Sequence, residues 1–226
     1  LSHSETELME KNMLKRLLLP VALVLLTPLW ACAQEEQTWE EGKHYDLITP
    51  AIRTADPAKI EVTEFFWYGC GHCYNFEPII SQWKKTLGDD VIFRGSPAAW
   101  NAPMELHAKA YYTADVLGVM DTMHLVIFQA MNVDRKRLSS EAEIGKLFGE
   151  HGVSEEDFTK AFNSFGVSSQ ARQASANARA AKITGTPEMM VNGKYRISTR
   201  KVGSQANMLK LADYLIEKER AAAAES

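Results

Sequence analysis

Two cysteines separated by two residues, Cys70-Gly71-His72-Cys73, have the clearest capacity for chemistry in this sequence. Before them, Ile60-Glu61-Val62-Thr63-Glu64-Phe65-Phe66-Trp67-Tyr68 is rich in β-branched and aromatic residues, which predicts a strand ending at the pair. After them, Phe76, Ile79, Ile80, Trp83 and Leu87 recur at helical spacing and predict an amphipathic helix running to Gly88. A cysteine at a strand-to-helix turn meets unpaired helix amides and the positive end of the macrodipole. Both favour the thiolate, so Cys70 is expected to have a lowered pKa and to act as nucleophile and leaving group. Cys73, one turn inward, is placed to resolve a mixed disulfide, and His72 can add positive charge beside the thiolate. These effects favour the dithiol over the disulfide, which makes the pair oxidising.

Other chemistries fit less well. A zinc site needs about four ligands, and here two cysteines and one wedged histidine stand alone, so no metal is expected. Covalent haem needs a histidine directly after the second cysteine; Tyr74 occupies that place. A structural disulfide across two residues would close a very small loop and stabilise little. No cofactor is expected.

The chain has 226 residues, 46% hydrophobic and 24% charged, which suits a globular protein with a real core. A net charge of −4 without a basic tract gives no reason to expect nucleic acid binding. Met13-Leu14-Lys15-Arg16, an apolar run from Leu17 to Trp30, and Ala31-Cys32-Ala33 together read as a secretory signal. Met13 is the expected start, and cleavage is expected near Ala33. The run is too short and proline-interrupted for a membrane span, which wants about 20 apolar residues. Leu29-Trp30-Ala31-Cys32 also resembles a lipoprotein box, an alternative in which Cys32 anchors the protein to lipid; bulky Trp30 argues against it.

Residues 34–43 are polar and read as a flexible mature N-terminus, and His44 to Ile48 as a short strand. Pro78 predicts a kink in the helix after the pair, since it cannot bond back to the Tyr74 carbonyl. Val91 to Arg94 predicts a strand, giving a strand–helix–strand unit with a parallel pair. From Asn101 to Lys182 only helical patterns occur: Met104–Leu117, Thr122–Met131, Glu141–Gly149, a capped start at Ser154 before Phe158, Phe162 and Phe165, and an alanine stripe through Ala171, Ala174, Ala178 and Ala181. Met189 to Ser198 around Asn192-Gly193 predicts a hairpin. Met208, Leu211, Ala212 and Leu215 predict a last helix, with Ala221–Ser226 as a frayed tail. The expected parts are a leader at 1–33, an α/β domain at 34–100 and 183–226, and an inserted helical subdomain at 101–182.

The segment from Glu64 through Cys70-Gly71-His72-Cys73 to Pro78 resembles the active-site segment of the DsbA family of periplasmic thiol–disulfide oxidoreductases. Thr186-Pro187, followed by Val191-Asn192-Gly193-Lys194-Tyr195, resembles that family's cis-proline loop and the hairpin after it. The best-known members carry Pro-His between the cysteines where this chain has Gly71-His72. The resemblance implies a thioredoxin fold, mixed sheet flanked by helices, interrupted by a helical subdomain. It implies that Pro187 is cis, that Thr186 and Gly71 border the substrate site, and that Cys70 and Cys73 form a redox-active disulfide. It further implies that Glu64 is a buried acid moving protons for Cys73, although strand alternation alone also allows an outward-facing acid.

The expected substrates are unfolded, newly translocated proteins with free cysteines, and the expected reoxidant is a DsbB-like membrane quinone reductase. The protein is expected in the periplasm as a monomer. An isomerase or reductase of the same fold, or a chaperone that binds without turnover, stays open. Trp67, Tyr68, Trp100 and Phe165 are candidates for substrate surface or core. Glu77 reads as a solvated or electrostatic neighbour, and His107, His124 and His151 are given no role.

Overall fold

The computed structural model describes residues 38–225. The expected leader, its cleavage site and Cys32 lie outside the described residues. The α/β class is as expected. β1 (Tyr45–Leu47), β2 (Ile60–Phe66), β3 (Val91–Pro97), β4 (Glu188–Val191) and β5 (Tyr195–Ser198) form one mixed sheet in the order β1-β5-β4-β2-β3. β2 and β3 are parallel, with Val62 opposite Phe93, and the other pairings are antiparallel.

α1 (Gly71–Lys84) crosses from β2 to β3 and packs on one sheet face with α8 (Gln205–Ala224). Their shared core holds Val62, Phe76, Ile80, Met189, Ile197, Met208, Leu211 and Leu215, all buried. Pro78 does not end α1, which continues to Lys84. The helix stops short of Gly88, yet Leu87 still packs against this core. Trp39 corrects the expectation of a loose N-terminus: it is buried in the same core, edge-on to His44.

Between β3 and β4 run α2 (Ala102–Val116), α3 (Met120–Asn132), α4 (Glu141–Glu150), α5 (Glu155–Phe162) and α6 (Phe165–Ala180). A polar residue starts most of them: the side chains of Asn101, Ser140, Ser154 and Ser164 each accept from a backbone N–H three residues on. Their second core joins Phe66, Tyr68 and Cys73 to Phe128, Phe148, Phe158 and Phe162. Phe165 was expected in line with Phe158 and Phe162, and is instead 81% exposed. Ser164 explains this, because its cap starts a new helix and breaks the phase of the stripe. The alanine stripe is buried, and Ala178 and Ala181 meet Phe65 and Met190 in a third core.

β3 extends past Arg94 to Pro97, and α8 remains helical through Ala224. The frayed tail is thereby corrected: alanine has the highest intrinsic helix propensity, so the run prolongs α8. The short helix α7 (Thr199–Val202) leads into α8.

The β4–β5 turn has the predicted form, with Asn192 at φ 50° and Gly193 at φ 66°. Glu219 on α8 anchors it, accepting from the Asn192 amide, from Lys194 Nζ at 2.6 Å and from the Tyr195 hydroxyl at 2.8 Å. Glu219→Ala will orphan these donors and lower stability by about 2 kcal/mol. A urea midpoint equal to the parent's would show that the turn does not depend on this carboxylate.

Candidate active site

Cys70 is the N-cap of α1, extended at φ −91° and ψ 109°, and its sulfur accepts from the Cys73 N–H at 3.3 Å. It is half-buried, whereas Cys73, in the first turn of α1, is fully buried against the second core. Both are free thiols in this structure. Across from them the Thr186–Pro187 bond is cis, and the Thr186 carbonyl accepts from the Cys70 thiol at 3.3 Å. Gly71 and His72 are exposed beside the pair. The structure thus brings Cys70, Gly71, His72, Cys73, Thr186 and Pro187 to one place from residues far apart in sequence.

The two thiols are driven apart electrostatically. Cys70 is lowered to about 6, first by a hydrogen bond from the Cys73 side chain, then by the Thr186 side chain and the Cys73 and His72 backbones, against partial burial. The Thr186 carbonyl works the other way, since an acceptor favours the protonated thiol. The donors outnumber it, and the thiolate wins. The His72 contribution is its backbone N–H rather than a charged ring, which refines the reading from sequence. Cys73 is pushed far upward by burial and by the Cys70 sulfur.

Glu64 lies on the face of β2 that carries Val62 and Phe66, under α1, and is 2% exposed. Both faces of β2 are covered, this one by α1 and that of Phe65 by Ala178 and Ala181, so alternation could not put the acid outside. Burial, and next the charge of Glu77, raise its pKa well above the ordinary carboxylate value. Its Oε1 has no protein partner, and its charge raises Cys73.

Several residues around the pair went unread in the sequence. Of the two readings of Glu77, burial at 6% exposure removes the solvated one and leaves the electrostatic one, and its Oε1 meets His124 Nε2 at 3.2 Å. The other ring nitrogen of His124 shares a 2.9 Å hydrogen bond with the Tyr68 hydroxyl. Asn132 ends α3 by donating to the Tyr68 and Phe128 carbonyls, both at 2.8 Å, which ties α3 to the turn before Cys70. Glu77 could have been found: it lies four residues after Cys73, on the same buried helix face. His124 and Asn132 carry no local signal. His107 is also buried, accepting from Trp67 Nε1 at 2.9 Å, and burial lowers its pKa. Tyr68 is fully buried, while Trp100 and Phe165 are exposed.

The arrangement offers one accessible sulfur that ionises near neutrality and one sheltered sulfur that holds its proton. A chain that can approach the cis-proline loop can exchange a disulfide there. A family profile described as a DSBA-like thioredoxin domain matches residues 80–215. The thiol:disulfide interchange protein DsbA of Pseudomonas syringae pv. tomato is 40% identical over 210 residues, covering 93% of this chain and 98% of that protein. The protein of the same name from Azotobacter vinelandii is 42% identical over 181 residues, covering 80% and 85%. The crystal structure of Pseudomonas aeruginosa DsbA superposes with a TM-score of 0.79 at 40% identity, covering 82% of this chain and 96% of that one. With the fold, the cysteine pair and the relatives in agreement, this chain belongs to the DsbA-like thioredoxin-domain family.

Proposed function

We propose that this protein is a periplasmic oxidase that donates the Cys70–Cys73 disulfide to newly exported proteins. Thiol–disulfide interchange is the activity its relatives are named for. The observation that supports the direction is the split between the thiols, with Cys70 at about 6 and Cys73 held protonated by burial. A site in which the dithiol is the comfortable state gives up its disulfide readily.

A substrate thiolate attacks Cys70 Sγ, the Cys70–Cys73 bond breaks, and its electron pair goes to Cys73. That sulfur is buried and takes a proton, which Glu64 supplies. A second substrate thiolate then attacks the substrate sulfur joined to Cys70, and Cys70 leaves as a thiolate that needs no proton. Two electrons have moved to the enzyme, and the substrate has gained a disulfide. Of the two protons the substrate dithiol gave up, one balances Cys73 and the other stays with solvent. Gly71, Thr186 and Pro187 form the edge against which an extended substrate lies, through backbone pairing that needs no particular sequence. His72 adds its N–H to the sulfur.

In this reading the thioredoxin-like part comprises 34–100 and 183–226, and the helical block 101–182 forms the wall holding Asn132 and His124. The protein works as a soluble monomer after signal cleavage and is reoxidised by a membrane quinone reductase. Among the described residues no helix is long and apolar enough to cross a membrane.

Oxidised protein mixed with reduced, unfolded ribonuclease will consume about two substrate thiols per active site, and its equilibrium with glutathione will show a strongly oxidising couple. A potential as low as thioredoxin's would reverse the assigned direction.

A further inference from the structure

The backbone does little to hold the segment that carries Thr186 and Pro187. Before it, Ile183 is anchored: its N–H donates to the Ala178 carbonyl at 2.9 Å and its side chain is buried in the third core. After it, β4 begins at Glu188, opposite Phe65 of β2 and Ser198 of β5. Between these points Thr184, Gly185 and Thr186 make no backbone–backbone hydrogen bond among the described residues. The Thr186 carbonyl accepts from the Cys70 thiol at 3.3 Å, but the disulfide form has no such donor. The oxidised protein, which must receive substrate, therefore needs another hold on this loop.

Glu188 is placed to supply it. The residue is 4% exposed, and its register opposite Phe65 sets it on the face that Phe65 and Met190 share with Ala178 of α6. An acid there costs free energy unless its oxygens are bonded, and an apolar side chain would suit the place better. Oε1 accepts from the Thr184 hydroxyl at 3.2 Å, and a Cβ at Gly185 would lie 3.6 Å from it, so the carboxylate is laid against the loop. Oε2 has no hydrogen-bond partner among the described residues, and Arg196 Nε faces it at 4.0 Å. Arg196 is itself bonded to Asp46 of β1 at 2.8 Å and to the Lys182 carbonyl. Burial raises the Glu188 pKa, while the Arg196 charge, the Thr184 hydroxyl and the Thr184 and Gly185 amides favour the carboxylate.

We propose that Glu188 is a positioning residue that braces Thr184 and Gly185 against the end of the sheet, so that Thr186 presents its backbone ready for an incoming chain. This rests on the assignment of Thr186 and Pro187 as the edge on which substrate lies. Glu188 acts through the loop, not on the sulfurs. Arg196 holds the carboxylate from β5, and through Lys182 it also fixes the start of the same segment. An edge already ordered when the substrate arrives spares the complex the cost of ordering it. A small dithiol that needs no edge gains nothing from the brace, which separates this role from any effect on the chemistry of Cys70.

The oxidised protein is reacted separately with an unstructured peptide carrying one cysteine and with dithiothreitol. Second-order rate constants are compared in the parent, Glu188→Ala, Thr184→Val and Thr184→Ser. Glu188→Ala and Thr184→Val are expected to lower the peptide constant about tenfold, the scale of one lost hydrogen bond, and to leave the dithiothreitol constant unchanged. Thr184→Ser keeps the donor and should match the parent. The same peptide with N-methylated amides beside its cysteine tests the edge itself, and the parent should react with it more slowly. If the parent discriminates between the two peptides while Glu188→Ala and Thr184→Val keep its peptide constant, the brace falls and the edge survives. If the parent treats both peptides alike, both fall. A loss that appears equally with dithiothreitol, or a Thr184→Ser as slow as Thr184→Val, assigns these side chains a packing role and overturns the proposal. Should Glu188→Ala not fold, the two Thr184 variants decide alone.

Discussion

Changing Cys73 to Ala will leave the protein covalently joined to its substrates through Cys70, and changing Cys70 to Ser will abolish oxidation of reduced proteins altogether. The asymmetry follows from position. Cys70 caps α1 at the surface, with its sulfur within reach of an incoming chain, whereas Cys73 is fully buried and can reach only Cys70. Without Cys73 the intramolecular attack that frees a trapped enzyme is gone, and release falls to slow exchange with external thiols. The thiol supplied in Cys73→Ala must be activated as a mixed disulfide before it meets substrate, because no internal disulfide exists. Without Cys70 the remaining thiol is both sheltered and held protonated, so neither property of a nucleophile survives. A drop of several orders of magnitude in the oxidation rate is expected for Cys70→Ser, with the fold intact because a serine oxygen can still cap the helix. Non-reducing electrophoresis of Cys73→Ala with a cysteine-containing substrate reads the first result, and thiol consumption the second. Normal turnover by Cys70→Ser, or adducts that form through Cys73 instead, would overturn the assigned order of attack.

Much of this was legible in the sequence where physics is local. The strand before the pair, the helix after it and the Asn192-Gly193 turn each depend on neighbours in the chain, and all are present. The cysteine pair was legible because a thiol at a helix start has one physical meaning wherever it occurs. The parts that went unread depend on contacts between distant segments. Glu77 stood between a solvated and an electrostatic reading until α3, laid across it, placed His124 within 3.2 Å. Phe165 looks like the next residue of an apolar stripe until Ser164 caps a new helix and turns it outward. Glu64 stood between two readings because alternation assumes one solvent-facing side, whereas helices cover both faces of β2. The cis geometry at Thr186–Pro187 came from resemblance, since Gly-Thr-Pro alone reads only as a turn. Trp39 shows the same limit from the other side: a segment polar on average can still be tied down by one aromatic ring.

The stability of the reduced protein will rise with pH between about 6 and about 9, measured relative to the oxidised protein under the same conditions. Cys70 is lowered from an ordinary 9.0 to about 6 in the folded dithiol form, chiefly by the Cys73 hydrogen bond. A group with a depressed folded pKa stabilises the fold fully above its unfolded value, and the contribution is lost as pH falls through the folded one. Three units correspond to about 4 kcal/mol at most, and roughly 2–3 kcal/mol after allowance for solvent reaching the half-buried sulfur. Glu64 has the opposite sign: its raised pKa makes its contribution largest in acid and lost as pH rises. Glu64 is present in both redox forms, so subtracting the oxidised curve largely removes it. Cys73 is shifted upward and bears on stability only above the ordinary thiol value, outside the window. The oxidised protein has neither thiol to titrate, which makes it the proper reference. Denaturant unfolding of both forms at several pH values will therefore show a difference that is small near pH 5 and grows toward pH 9. That difference is also the driving force for giving the disulfide away, about 60 mV for 3 kcal/mol in a two-electron couple. A difference that stays flat across the window would mean that the fold does not stabilise the Cys70 thiolate, and the oxidising character would then need another source.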